Sequence, residues 1–180
     1  MSAGSGDVLV FFSRSANAAP GRGAGEHVND VNLYRDLYGI QDWRRMLSNF
    51  YISPFHWNGY RYNTAEHAYQ ATKLSFANPT SAYQLTMESG SPISLAEGVE
   101  ARNMRKMAIL NNEQLARWES IRDGVMLSIL EAKYRSNPTL VHVLLSTRNA
   151  ELWHHQQRQG KVREYQLERV RELLRNEARA

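Results

Sequence analysis

The sequence predicts a mainly α-helical, α+β domain in which helices are joined by one short strand and one hairpin. Three observations carry this. Apolar residues recur every three or four positions between Glu113 and Tyr134 (Leu115, Trp118, Ile121, Val125, Ile129), the period of a long helix with one face on a core. Val8-Leu9-Val10-Phe11-Phe12 is a β-branched and aromatic run of strand length. Asn58-Gly59, set between Pro54-Phe55-His56-Trp57 and Tyr60-Arg61-Tyr62, is a hairpin-turn pair.

Along the chain, residues 1–6 read as a flexible leader and 7–180 as a single domain with no internal repeat. The strand beginning at Val8 runs into a long loop containing Pro20-Gly21-Arg22-Gly23-Ala24-Gly25-Glu26. Its glycines let backbone N–H groups approach an anion while Arg22 adds charge, so the loop suits a phosphate. The spacing is neither G-x-G-x-x-G nor a Walker A motif, and a flexible surface loop is equally supported. Leu33, Leu37 and Ile40 predict a short helix ending near Gly39. Thr64 is placed to cap a helix from Ala65 to about Phe76, stopped by Asn78-Pro79. After Pro92, Ser94-x-x-Glu97 predicts a capping box at the start of another helix. Asn137-Pro138 opens a helix over Thr139 to Leu145. A final helix, about Arg163 to Arg175, carries Val170, Leu173 and Leu174 as a core or oligomer-contact stripe, with paired charges on the other face.

Composition excludes several classes. At 180 residues the chain matches about one domain and buries a full core without staples. Hydrophobic residues at 42% and charged residues at 22% exclude collagen-like, disordered and coiled-coil chains. The 22 Lys+Arg against 18 Asp+Glu leave a charge of +4, which suits an anionic small molecule or a short stretch of nucleic acid better than a long phosphate-tracking groove. With no Cys, disulfides, thiolate zinc sites and cysteine nucleophiles are excluded. No apolar run approaches the roughly 20 residues that span a bilayer, and the first residues do not form a secretory signal, so the expected location is cytoplasmic with no membrane partner.

The densest group of chemically capable residues runs from Leu47 to Lys73. Glu66, Gln70 and Lys73 are spaced by four and three, which puts a carboxylate, an amide and an ammonium on one helix face. In the first helical turn Glu66 is favoured as the anion by the helix dipole. A carboxylate beside aromatic platforms suits a transition state that becomes cationic, as in glycosidic cleavage at a ribose carbon. Trp57, Tyr60 or Tyr62 would stack a base, and Lys73, Arg61 or Arg22 would hold a phosphate. Spacing alone favours a plainer alternative, in which the aromatics are hairpin core and Glu66 and Lys73 a solvated pair.

The string Leu47-Ser48-Asn49-Phe50-Tyr51-x-Ser53-Pro54-Phe55, followed by Gly59, Tyr62, Thr64 and Glu66-His67-x-Tyr69-Gln70-x-x-Lys73, resembles the NADAR superfamily of swarming-motility-protein-like N-glycosidase domains. Trp118-x-x-Ile121-Arg122-x-x-Val125-Met126, Ala132-Lys133-Tyr134, Asn137-Pro138-x-Leu140 and Leu144-Leu145-x-Thr147-x-x-Ala150-x-Leu152 are similar too. The likeness spans roughly residues 31 to 175. It implies a compact, mainly helical fold and hydrolysis of N-glycosidic bonds, with family substrates that include ribosylamino intermediates of the early riboflavin pathway and ADP-ribose attached to guanine. It implies Glu66 as the acid/base or cation-stabilising carboxylate, with Asn49, Tyr51, Gln70 and Lys73 lining the pocket.

The chain departs from that pattern after Leu152. Where family enzymes carry Asp-x-x-Trp-Gly, it reads Trp153-His154-His155-Gln156-Gln157-Arg158-Gln159-Gly160-Lys161, and no Asp follows Asp123. Two readings therefore stand. The first is an N-glycosidase acting on an ADP-ribosyl or ribosylamino-phosphate compound, free or on a modified nucleic acid. The second is a catalytically silent module that binds NAD-derived or ADP-ribosylated ligands. A basic nucleic-acid-binding domain is a weaker third, because positive charge is dispersed along the chain. His154-His155 lacks a third ligand, so neither a metal nor another cofactor is expected.

Overall fold

The computed structural model describes residues 2–180 and is mainly helical, with a small sheet and a hairpin. In chain order it comprises β1 (Val8–Phe11), α1 (Arg35–Tyr38), α2 (Trp43–Met46), β2 (Phe55–Trp57), β3 (Tyr60–Tyr62), α3 (Ala65–Leu74), α4 (Pro79–Gln84), α5 (Gly98–Asn103), α6 (Asn112–Arg135), α7 (Pro138–Ser146), β4 (Glu151–Gln156), β5 (Gly160–Arg163) and α8 (Tyr165–Arg179). Contacts divide the chain into two compact units, one made of residues up to Ser48 with Pro138–Ala180 and the other of Asn49–Asn137. Among the described residues, no helix is long and apolar enough to cross a membrane.

The first unit is built on a three-stranded sheet in the order β1-β4-β5. β1 pairs in parallel with β4, Val8 opposite Glu151 and Phe11 opposite His154, and β4 turns back antiparallel to β5. The sequence reading places the strand at Val8 but gives β4 and β5 no prediction. The stretch from Trp153 to Lys161 is polar and lacks β-branched alternation, so its strand state is set by pairing, β4 with β1 across the chain and β5 with β4, rather than by local propensity. α8 then begins at Tyr165, because Arg163 is the last residue of β5. Leu167, Val170, Arg171 and Leu174 form its buried face, joined in the core by Leu9, Phe11, Trp43, Val143 and Leu152. Residues 3–6, expected as a leader, form turns in which the Ala3 carbonyl accepts from both the backbone N–H and the side-chain amide of Asn149. Met1 of that expected leader lies outside the described residues.

The glycine loop of this unit cradles an anion that the chain itself supplies. The Glu26 carboxylate accepts the N–H groups of Gly21 and Gly23 (both 3.0 Å) and of Val10 (2.9 Å). Arg44 grips the same carboxylate with two parallel bonds, 3.0 Å from Nε and 2.7 Å from Nη2, and donates to the carbonyls of Ala18 and Ala19. Both side chains are buried, at 3% and 0% exposure. The two loop donors that would have met a phosphate are thus spent on Glu26, and Arg22 points from an exposed position beside them.

In the second unit, β2 and β3 form the expected hairpin, and Asn58 and Gly59 both take the positive φ that a tight two-residue turn demands. Thr64 caps α3, its hydroxyl oxygen accepting from the His67 N–H. The His67 ring is a clamp: Nε2–H donates to the Ile93 carbonyl (2.9 Å), which leaves Nδ1 to accept from the Thr64 hydroxyl (2.7 Å). Burial lowers its pKa, as the neutral ring in this network requires.

Two helix boundaries differ from expectation. Asn78-Pro79 ends α3 but also starts α4, with the Asn78 side chain accepting from Ser81 N–H. The Ser94-x-x-Glu97 capping box does not form. The Ser94 hydroxyl donates to the Ser91 carbonyl inside a short 3-10 turn, and α5 begins only at Gly98. The capping box of α6 is instead Asn111 with Gln114. Along α6, Trp118 and Ile129 are buried as the periodicity predicts, whereas Leu115 and Ile121 are exposed.

Gly98 is where α5 meets the Asn49–Phe55 segment. A Cβ built there would lie 2.6 Å from Phe50 Cα, a backbone atom that cannot swing away. Gly98→Ala is therefore expected to destabilise the protein by about 1–3 kcal/mol, read as a lowered urea midpoint. A wild-type midpoint in that variant would show that the approach is looser than described.

Candidate active site

Glu66 sits in the first turn of α3 and is buried, at 8% exposure. Its N–H donates to the Asn49 carbonyl (3.1 Å), which ties the Asn49–Phe55 segment to the helix start. One turn on, Gln70 Nε2 donates to Glu66 Oε1 (2.9 Å), while Gln70 Oε1 is buried and accepts from no group among the described residues. The i,i+4 spacing that put these residues on one face has thus become a fixed carboxylate–amide pair. The Tyr69 hydroxyl has its pKa raised by burial, with Arg122 opposing and Glu66 and Asp123 adding to the shift. Its ring meets Trp118 edge-on, centroids 5.0 Å apart.

The other expected residues are distributed around and beyond this pair. Asn49 and Tyr51 are half-buried in the segment leading to β2. Lys73 is half-buried in the last turn of α3. Trp57 is half-buried and donates its indole N–H to Ser128 Oγ of α6 (2.9 Å). Tyr62 belongs to the hairpin core, its ring 6.3 Å from that of Phe55 and 6.2 Å from that of Trp57, and burial pushes its hydroxyl up to about 12. Its ring is therefore packed inside the hairpin, where an open stacking face was expected. Tyr60 is exposed and meets Tyr83 edge-on at 5.9 Å. Arg22 belongs to the first unit, on the loop closed by Glu26.

The histidines that replace the Asp-x-x-Trp-Gly stretch also belong to the first unit and have internal partners there. His154 stacks on Phe11 at 5.4 Å with Nδ1 3.5 Å from Glu164, and His155 meets Phe12 edge-on. Among the described residues, no three His, Asp or Glu side chains gather as a metal-binding group. A cavity of about 470 Å³ in that unit is lined by Arg148, Arg175 and Arg179 with Asn149 and Glu172, and by none of the residues expected from the sequence.

Lys133 stands in the Ala132-Lys133-Tyr134 stretch, to which sequence reasoning gave no role at the site. It lies on α6, which packs against α3, and only 1% of its surface is exposed. Burial brings its amine down to about 7, so it exchanges a proton near neutrality, a property concentrated at functional sites. Its position carries the signal: it follows Ile129 by four residues and Met126 by seven, on the buried face of the helix.

That burial makes a pH prediction. Between pH 7 and about 10 the unfolded chain holds a proton on Lys133 that the folded chain has lost, so stability is expected to rise with pH, at most about 1.4 kcal/mol per unit. Above about pH 10 the trend reverses, because Tyr34, Tyr62 and Tyr134 are raised by burial and ionise first in the unfolded chain. Urea midpoints at pH 7, 8 and 9 should climb in the wild type and flatten in Lys133→Met. A flat wild-type profile would contradict the assignment.

The family model described as NADAR domain matches residues 38–160, from the end of α1 to the first residue of β5, and so includes Glu66, Gln70 and Lys133. The chain belongs to the NADAR domain family. Members of this family are associated with N-glycosidase-type activity. The structure is similar to the NMR structure of the Escherichia coli protein YbiA, with a TM-score of 0.59 and 27% identity over 77% of this chain and 82% of that one. No curated protein matches this NADAR chain. The likeness to YbiA bears out the mainly helical fold expected from the resemblance, and the NADAR match extends over both compact units.

Proposed function

We propose that this NADAR domain hydrolyses the N-glycosidic bond of an ADP-ribosyl or ribosylamino-phosphate compound, with Glu66 as the key carboxylate. The observation that carries the reading is the buried Glu66 carboxylate, held by the Gln70 amide in the first turn of α3, in a chain of an N-glycosidase-associated family. Charge develops at the anomeric carbon as the C1′–N bond breaks, and a fixed anion in a water-poor setting stabilises that cation without reorganising. Water adds to C1′ as the C1′–N bond breaks, and its proton passes, directly or by way of Glu66, to the leaving nitrogen, so that the base departs in its neutral form. Asn49, Tyr51, Trp57 and Lys73 are proposed to line the substrate, which is a nucleotide-like small molecule or an ADP-ribosylated base on nucleic acid. The test is incubation with NAD, guanine-linked ADP-ribose and ribosylaminopyrimidine phosphates, with free base measured by chromatography. Release from at least one of them is expected.

A second reading, binding of NAD-derived or ADP-ribosylated ligands without cleavage, is favoured by one observation. The stretch that replaces Asp-x-x-Trp-Gly runs from the second half of β4 through the turn into β5, and its two histidine rings pack on Phe11 and Phe12. Saturable ADP-ribose binding, with every compound of the panel recovered intact, would select it.

A further inference from the structure

A carboxylate offers only acceptors, so the Gln70 amide must turn its NH2 group toward Glu66, as the 2.9 Å bond records. This fixes the other end of the amide. Gln70 Oε1 points away from Glu66 and is buried without a donor among the described residues, in a residue only 5% exposed. Buried carbonyl oxygens in folded proteins are nearly always paired, and an unpaired one beside a functional carboxylate marks where a ligand donor belongs.

We propose that Gln70 Oε1 accepts a hydrogen bond from the sugar hydroxyl next to the anomeric carbon, and so selects ribosyl over 2-deoxyribosyl substrates. The inference rests on the N-glycosidase reading. If Glu66 faces the anomeric carbon, the sugar donor nearest to it is the 2′-hydroxyl on the adjacent carbon, and the protein acceptor one amide width away is Gln70 Oε1. Positive charge developing at the anomeric carbon makes that hydroxyl a better donor, so the bond strengthens in the transition state. Gln70 is in this account a specificity-determining residue, and Glu66 alone meets the reacting carbon.

The experiment compares kcat and KM for guanine-linked ADP-ribose and its 2-deoxyribosyl counterpart in the wild type and in Gln70→Met. Met keeps the length of the side chain and removes the acceptor. Loss of the contact to Glu66 and the greater intrinsic lability of the deoxy sugar act on both enzymes or both substrates alike, and cancel in the ratio of ratios. The wild type is expected to prefer the ribosyl compound about tenfold more strongly than the variant does, chiefly in kcat. Equal preferences would overturn the proposal. Gln70→Leu, of similar volume, serves if the Met variant lacks native circular dichroism. If the wild type cleaves neither compound, the N-glycosidase reading fails on its own. The same ratio is then read from the Kd of ADP-ribose and of its 2-deoxyribosyl analogue, where a loss of preference in the variant supports the acceptor role and equal ratios, or no binding, overturn it.

Discussion

Glu66→Gln is expected to lower turnover by about a thousandfold while leaving ligand affinity within a fewfold of wild type. The substitution keeps the volume of the side chain, and its carbonyl oxygen can still accept from Gln70 Nε2, so the 2.9 Å contact and the packing around α3 survive. What is lost is the negative charge. A buried anion favours the oxocarbenium-like transition state over the neutral ground state, so removing it acts on kcat rather than on Kd. Steady-state rates together with calorimetric titration of ADP-ribose separate the two quantities. Equal losses in both would make Glu66 a binding residue only.

Glu26→Ala is expected to give the largest loss of stability, about 3–5 kcal/mol, whereas Arg22→Ala, four residues earlier, should change stability by less than about 0.5 kcal/mol. Removing the carboxylate strands the Arg44 guanidinium, which is 3% exposed, and frees the N–H groups of Gly21, Gly23 and Val10 from their partner. A buried charge left without its counterion costs more than the pair contributed. Arg22 lies on the same loop, but its exposed side chain spends nothing on the fold. Chemical denaturation of both variants at pH 7 checks the contrast. A mild Glu26→Ala effect would mean that the loop closes without its internal anion.

The glycine loop shows what a sequence can and cannot reveal. Alternating glycines state that backbone N–H groups are available to an anion, and they do not state which one. Glu26 occupies the cradle because Arg44, eighteen residues later, arrives from α2 to hold it there. α3 was legible for the opposite reason: its cap and the Glu66–Gln70 spacing are both local, so the first turn and its carboxylate could be placed from the residues of that one helix. Ser94-x-x-Glu97 had the right spacing for a cap, but Ser94 found a closer acceptor in the Ser91 carbonyl and the helix started later. β4 was invisible because its partner β1 lies more than a hundred residues away and its own residues are polar. Lys133 was hidden by its type, since a lysine near the end of a long helix usually reads as a solvated, dipole-favoured charge. Its place four residues after Ile129, on the buried face of α6, is the signal that outweighs that reading.

The most direct test of the central claim is a side-by-side product assay, in which wild type and Glu66→Gln are incubated with guanine-linked ADP-ribose and the products are separated by chromatography and identified by mass spectrometry. The account predicts free guanine and ADP-ribose from the wild type and intact substrate from the variant. Equal release by both proteins would remove Glu66 from the chemistry, and intact substrate from both would contradict the glycosidase assignment for this compound.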